Sequence, residues 1–327
     1  MTGPPAELDR LGGDIKLAWQ RFLDTFEPLR PELYRYCRYL THSPWDAEDL
    51  VQDAMARGFV TLGTLFHTLP NPRAWLFRVA SNIWIDRMRR QRHERELAAT
   101  PASAPPPEDA RAPREAAATL LAELAPQERA AVVLKDVFDF SLEDIAAALS
   151  TSVGAVKDAL HRGRGKLVEP RPEPRAPAPG VLDAFCAAFN ARDLRTLTQL
   201  LLDDAATEIV GVVTEYGSAA PANRRTGSFA NSLTPITTTE AGGIDARYLT
   251  DYLGGAPRCE VRVHRGEPIL LFWFDHVDGP AVRAAWTLET HGQHIARIRN
   301  YFFAPDVIAE LCRELGVPFR VNGYRYW

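Results

Sequence analysis

Apolar positions recur every three or four residues through the first half of the chain, and every second residue through much of the last third. The first period marks helices packed on one side, the second strands buried on one face. In "SPWDAEDLVQDAMARGF", Ala47, Leu50, Val51, Ala54 and Phe59 form one helical stripe. Ser43 is placed to cap that helix, with Pro44 at its first position and Asp46 as reciprocal partner. Glu48, Asp49, Gln52 and Asp53 are then expected to point outward. Such an acidic face is either plain solvated surface or a dock for a basic helix.

A second helix is predicted over "NPRAWLFRVASNIWIDRMRRQR", residues 71–92. Leu76, Val79, Ala80 and Ile83 make its buried stripe, continued by Arg87 and Arg90. Arg78, Ser81, Asn82, Ile85 and Arg89 fall on the opposite face, Phe77, Trp84 and Met88 on one shoulder and Trp75 on the other. Further on, "LAPQERAAVVLKDVFDFSLEDIAAALSTSVGAVKDALHRGRGKL" resolves into three helical stretches. Ser141 caps one, with Asp144 to reciprocate, and after a break at 150–152 Ser152 caps the last, which runs to about Leu167. Ile145, Leu149, Val153, Val156 and Leu160 are the residues these two helices would share. Two short helices on a tight turn make a helix-turn-helix, whose second helix reads the major groove; an unrelated helical hairpin is the alternative.

The last third changes character. "VLDAFCAAFNARDLRTLTQLLLDDAATEIV" gives two amphipathic helices broken near 190–193, then a strand. "CEVRVH", "PILLFWFD", "AVRAAWTLET" and "HIARIRNYFF" alternate as strands, with a turn at 277–280, and "PDVIAELCREL" closes as a helix. Residues 214–257 are poorly constrained. The aromatic end "PFRVNGYRYW" carries Phe319, Tyr324, Tyr326 and Trp327, which are costly to leave in water and are expected to dock.

Composition divides the chain. Five prolines in 98–115 and five in 168–180 remove donors and fix φ, so both stretches read as linkers rather than core. Two surface loops inside one domain are the alternative, though loops that long are uncommon. The expected modules are 14–97, 116–168 and 180–327, joined by linkers at 98–115 and 169–179. The net charge of −4 gives no global field toward nucleic acid. Locally the picture reverses: residues 71–95 hold seven arginines against Asp86 and Glu94, a charge of +5. Guanidiniums neutralise phosphates and rings stack on unpaired bases, the combination that single-stranded nucleic acid requires. Trp75 taken alone reads as packing. Cys37, Cys186, Cys259 and Cys312 are far apart in sequence with no C-x-x-C pair, which argues against a zinc ribbon or disulfide framework and suits a reducing cytosol. The N-terminal residues lack the pattern of a signal peptide, and no apolar run is long enough to span a bilayer. A cytoplasmic location without membrane contact is the expectation.

Taken together, the two helical modules resemble the extracytoplasmic-function (ECF) branch of the sigma-70 superfamily, over about residues 14–168. "DAEDLVQDAMARGF" is similar to that family's polymerase-binding helix, "WLFRVASNIWIDRMRR" to its −10 helix, and "SLEDIAAALSTSVGAVKDALHRGRGKL" to its −35 reader. The resemblance implies an all-α region 2 bundle and a helix-turn-helix region 4. It implies as partners bacterial core RNA polymerase, at Glu48, Asp49, Gln52 and Asp53, and promoter DNA. The −10 element would meet Arg73, Arg78, Asn82, Trp84, Ile85 and Arg89, with the loop 64–73 against the non-template strand. The −35 element would meet Thr151, Ser152, Gly154, Lys157, Asp158, His161, Arg162 and Arg164, with Lys166 also offered to phosphates. Asp158 departs from the small or basic residue common in the family and points to an unusual −35 sequence. Gly163 and Gly165 weaken the helix end by about 1 kcal/mol each.

The third module resembles the SnoaL-like branch of the nuclear-transport-factor-like cone fold, an α+β architecture. The resemblance implies regulation in cis, through a small-molecule pocket or an intramolecular clamp. His264, Asp275, His276, Glu289, His291 and His294 are available for acid–base chemistry but form no specific motif. No catalytic residue, metal site or cofactor is assigned. The alternatives are a sigma-like DNA-binding regulator that does not engage polymerase, and a cone-fold enzyme tethered to a DNA-binding arm.

Overall fold

The computed structural model describes residues 4–64, 69, 71–98, 125–163, 180–216 and 257–325, and divides into two compact units, Met1–Pro170 and Arg171–Trp327. Both expected linkers except Ala98, half of the 64–73 loop, Arg164, Gly165, Lys166, residues 217–256, Tyr326 and Trp327 lie outside the described residues. Among the described residues, no helix is long and apolar enough to cross a membrane.

The first unit is all helical: α1 (Pro4–Phe26), a 3-10 turn at Glu27–Leu29, α2 (Arg30–Thr41), α3 (Pro44–Leu62), α4 (Pro72–Ala98), α5 (Pro126–Asp136), α6 (Leu142–Ala148) and α7 (Val153–Gly163). Local chemistry sets the ends. Ser43 Oγ accepts from the Asp46 N–H at 3.2 Å to start α3, and Ser141 Oγ accepts from Asp144 N–H at 3.0 Å to start α6. The Asp144 carboxylate accepts a hydrogen bond from the Ser141 hydroxyl at 2.8 Å, so its partner is the cap side chain and not the cap backbone. Left-handed Ser150, at φ 51°, turns the chain between α6 and α7. Leu33, Leu40, Leu50, Val51, Ala54, Leu76 and Ala80 are fully buried where α2, α3 and α4 meet. Ile145, Leu149, Val156 and Leu160 are buried as the α6–α7 pairing demands.

The second unit sets helices on a mixed sheet, the α+β class expected. Helices α8 (Gly180–Asn190) and α9 (Leu194–Gln199) precede strands β1 (Leu201–Ile209), β2 (Val213–Tyr216), β3 (Arg258–His264), β4 (Glu267–Phe274), β5 (Ala281–His291) and β6 (His294–Asn300), and α10 (Pro305–Leu315) follows. The strand order is β2-β1-β6-β5-β4-β3, with β1 and β6 parallel and the other pairs antiparallel. Phe185 and Phe189 from α8 pack on Phe272 and Trp286 from the sheet, with ring centroids of Phe272 and Trp286 4.3 Å apart. Arg265 and Gly266, at φ 50° and 79°, make the two-residue turn that joins β3 to β4. The C-terminal segment docks on this unit. Val282 N–H donates to Pro318 O and Arg320 N–H to Val282 O, each at 2.9 Å, while the Tyr324 hydroxyl donates to Asp306 at 2.7 Å. Buried Arg283 donates to Asn322 Oδ1 through Nε at 3.0 Å and Nη2 at 2.6 Å.

Candidate nucleic-acid interface

Helix α4 supplies the basic surface. Arg78, Asn82 and Arg89 are exposed along it, three or four residues apart in multiples, as one helical face requires. They line a groove of about 1410 Å³, whose other wall includes Arg57 from α3 and Asp144, Leu149 and Ser150 from α6 and the turn after it. Arg57 was missed by the sequence pattern because it belongs to a different helix; only folding brings its charge alongside Arg78.

Four residues expected at this surface are placed otherwise. Ile85 is buried, 4% exposed, and Ser81 is fully buried with its hydroxyl 2.7 Å from Tyr36 Oη. The face opposite the apolar stripe is therefore narrower than a helical projection suggests, because α2 covers part of it. Trp84 is 2% exposed, beneath the guanidinium of Arg129, which lies 5.6 Å from its ring centroid and donates to Leu40 O at 3.1 Å. Burial lowers the Arg129 pKa from its usual range. Arg73 is engaged inside the unit: its Nε donates to Glu32 at 2.8 Å, a second nitrogen pairs with the same carboxylate, and its plane sits 4.2 Å from the Phe140 ring. The hydrogen bonds from Arg73 hold the Glu32 carboxyl below the usual range, against a smaller upward push from burial.

The acidic face of α3 is also corrected at one position. Glu48 is fully buried, ion-paired with Arg30 and accepting from Gln52 Nε2 at 2.6 Å. Its partner lies on α2, so the periodicity of α3 alone could not reveal it. Asp49 and Gln52 are half-buried and Asp53 is exposed, paired with Arg87 of α4.

On α7 the expected readers Thr151, Ser152, Gly154, Lys157, Asp158, His161 and Arg162 are all exposed, on and just before one short helix. Ser152 Oγ accepts from Ala155 N–H at 3.1 Å, and Arg162 Nε donates to Glu128 of α5 at 2.5 Å. A Cβ added at Gly154 would meet only Ser152 Oγ at 3.8 Å, so the position is open to solvent.

Among the described residues of the second unit, the acid–base candidates are dispersed. His264 is buried against Glu314, 2.6 Å away, as a tie between β3 and α10. Asp275, Glu289, His291 and His294 are exposed at strand ends and turns. Among the described residues, no group of three His, Cys, Asp or Glu could hold a metal ion.

Residues 25–94 match the model of sigma-70 region 2 and residues 114–167 that of sigma-70 region 4. The chain is 29% identical over 221 residues to the ECF RNA polymerase sigma factor SigG of Mycobacterium tuberculosis, covering 56% of this chain and 60% of SigG. It thus spans about three fifths of the length of that relative. It is 30% identical over 162 residues to the ECF RNA polymerase sigma factor SigW of Bacillus subtilis, covering 45% of this chain and 86% of SigW. Among solved structures, it is similar to the Mycobacterium tuberculosis extracytoplasmic function sigma factor SigJ at 22% identity and a TM-score of 0.30, over 85% of this chain and 95% of that one. With both sigma-70 regions in order on the helical unit, and SigW matched over most of its own length, this chain belongs to the ECF family of RNA polymerase sigma factors.

Proposed function

We propose that the protein is a promoter-specificity subunit: it brings bacterial core RNA polymerase to its promoters and helps to open the duplex there. The observation that carries this reading is the exposed line of Arg78, Asn82 and Arg89 on α4, within the region 2 match and separate from the exposed helix of the region 4 match. Arg78 and Arg89 neutralise phosphates of the melted −10 strand, and Asn82 offers an amide to a base edge. Asp49, Gln52 and Asp53 face polymerase, while buried Glu48 acts by holding Arg30 and Gln52 in place. Trp84 and Ile85 support α4 from beneath, and Arg73 positions its start. Thr151, Ser152, Lys157 and Asp158 read −35 base edges, with His161 and Arg162 toward phosphates. Asp158 is suited to accept from a cytosine amino group.

The second unit regulates this activity in cis. The reading is supported by the docked segment after α10, held by Val282, Asp306 and Arg283, which is more anchoring than a passive tail needs. No small-molecule ligand is assigned to the unit, and its dispersed histidines support no catalytic role.

The test is transcription in vitro with bacterial core polymerase on a random-promoter library. Transcripts from a common promoter class, lost when Arg78 and Arg89 are both alanine, are the expected result. Failure of the purified chain to associate with core polymerase would overturn the proposal. Removing residues 318–327 should change promoter output while leaving polymerase association intact; equal output from both forms counts against regulation in cis.

A further inference from the structure

Cys186 and Cys259 are 73 residues apart in the chain, yet the second unit brings them together. Cys186 lies half-buried on α8, and Cys259 is 2% exposed at the start of β3. The Cys186 thiol donates to Cys259 O at 3.1 Å. Asn190, at the end of α8, fastens the strand beside it: its Nδ2 donates to Cys259 O at 2.8 Å and its Oδ1 accepts from Cys259 N–H at 2.7 Å. The same Nδ2 lies 3.7 Å from the Cys186 sulfur. Cys186 also packs against the core to which Cys259 belongs.

Apart from the Cys259 carbonyl, which accepts from the thiol, the groups acting on the Cys186 sulfur are donors, and donors favour the thiolate. The Cys259 thiol, and after it the Val261 N–H, bring the Cys186 pKa down to about 7, against opposition from burial and from the carboxylates of Asp183 and Glu260. Cys259 goes the other way, pushed up by burial and by its neighbour, with Arg258 partly offsetting. The pair thus divides into a reactive, reachable sulfur and a protonated, sheltered one. Cys37 and Cys312 are buried elsewhere, and burial raises both thiols.

We propose that Cys186 and Cys259 are a hydroperoxide-oxidisable dithiol, closing reversibly to an intrachain disulfide between α8 and β3. The Cys186 thiolate attacks one peroxide oxygen; the O–O bond breaks, leaving Cys186 sulfenic acid and hydroxide. Cys259 then gives up its proton, its sulfur attacks the sulfenic sulfur, and water leaves as the S–S bond forms. Two electrons pass from the thiols to the peroxide. A small-molecule dithiol reverses the reaction by exchange.

The experiment uses the full chain, reduced, desalted and exposed to hydrogen peroxide, then unfolded in urea so that every remaining thiol is alkylated before the peptides are mapped. Expected is one crosslinked pair, Cys186 with Cys259, reversed by dithiothreitol, while Cys37 and Cys312 in the same sample stay alkylatable. Intermolecular crosslinks alone, a Cys186 that remains alkylatable, or equal oxidation of all four cysteines would overturn the proposal. In Cys259→Ala, Cys186 should stop at the sulfenic acid and be captured by dimedone; no capture in a folded variant also overturns it. Should that variant fail to fold, the wild-type alkylation profile decides. Cys186 should reach half its maximal rate near pH 7 and, at that pH, react about tenfold faster than a cysteine of the urea-unfolded chain. A profile centred in the ordinary thiol range removes the basis for its reactivity.

Discussion

Replacing Arg78 and Arg89 by alanine removes two exposed cations from α4 without touching its packing. On single-stranded −10 DNA, each phosphate left without its arginine should lower the slope of log affinity against log salt by about 0.7. Titrations of the polymerase–promoter complex at several salt concentrations measure this, with the thermal midpoint of the protein unchanged. Glu48 should behave in the opposite way. Glu48→Ala strips a carboxylate from buried Arg30, a loss of about 3–5 kcal/mol. A drop of many degrees in thermal midpoint is therefore expected, whereas Asp49→Ala should weaken polymerase binding and leave the midpoint within a degree or two. Equal midpoints for the Glu48 and Asp49 variants would refute the distinction. The sequence could name Arg78, Asn82 and Arg89 because a helical projection depends only on spacing. It could not separate Glu48 from Asp49, because the separating partner, Arg30, lies eighteen residues earlier on another helix.

At the level of elements, local signals were sufficient wherever a helix begins on its own side-chain cap. Ser43, Ser141 and Ser152 each accept the backbone N–H three residues on, so α3, α6 and α7 start where serine stands. The strands β3 to β6 were legible for a similar reason: β3 and β6 alternate apolar with polar residues, β4 and β5 hold longer buried stretches, and turns bound each of them. Strand β2 was not legible: it is four residues long and exists by pairing with β1. Ties between elements were invisible too, and one of them is sensitive to pH. Glu314 of α10 accepts from Arg265 at 2.9 Å and faces His264 at 2.6 Å. The Arg265 hydrogen bonds, more than His264, bring its carboxyl from 4.5 down to about 2. A carboxylate with a lowered pKa stabilises the fold fully above its ordinary pKa, and the contribution is lost as the pH falls toward the lowered one. Arg265→Ala should therefore cost stability at neutral pH and flatten the acid limb of the melting curve between pH 4.5 and about 2. Since the group is partly exposed, the difference should be modest. Parallel acid limbs for the two proteins would show that this tie contributes nothing.

The largest scale concerns how the helical unit is closed on itself. Phe138, 8% exposed, and Phe140, 3% exposed, follow α5 and insert among Tyr36, Phe77 and Arg73, with Phe77 5.5 and 5.2 Å from the two rings. Arg129 meanwhile covers Trp84. A compact body of 170 residues has a radius of gyration of about 15 Å. Elements centred at −35 and −10 are roughly 85 Å apart along B-form DNA, at about 3.4 Å per base pair. Under the proposed function one closed body cannot touch both, so the matched regions would have to part for the promoter to be spanned. Parting exposes two phenylalanines, each worth about 3–5 kcal/mol if removed from a packed site. Phe138→Ala and Phe140→Ala should therefore do two things together. Truncation lowers the thermal midpoint of the helical unit, and it raises transcription at limiting protein because less of the chain stays closed. Arg78→Ala in the same assay should lower transcription with no change in midpoint, which separates weakened DNA binding from weakened closure. If the phenylalanine variants melt earlier yet transcribe no better, the Phe138–Phe140 insertion is packing alone and closure does not limit initiation.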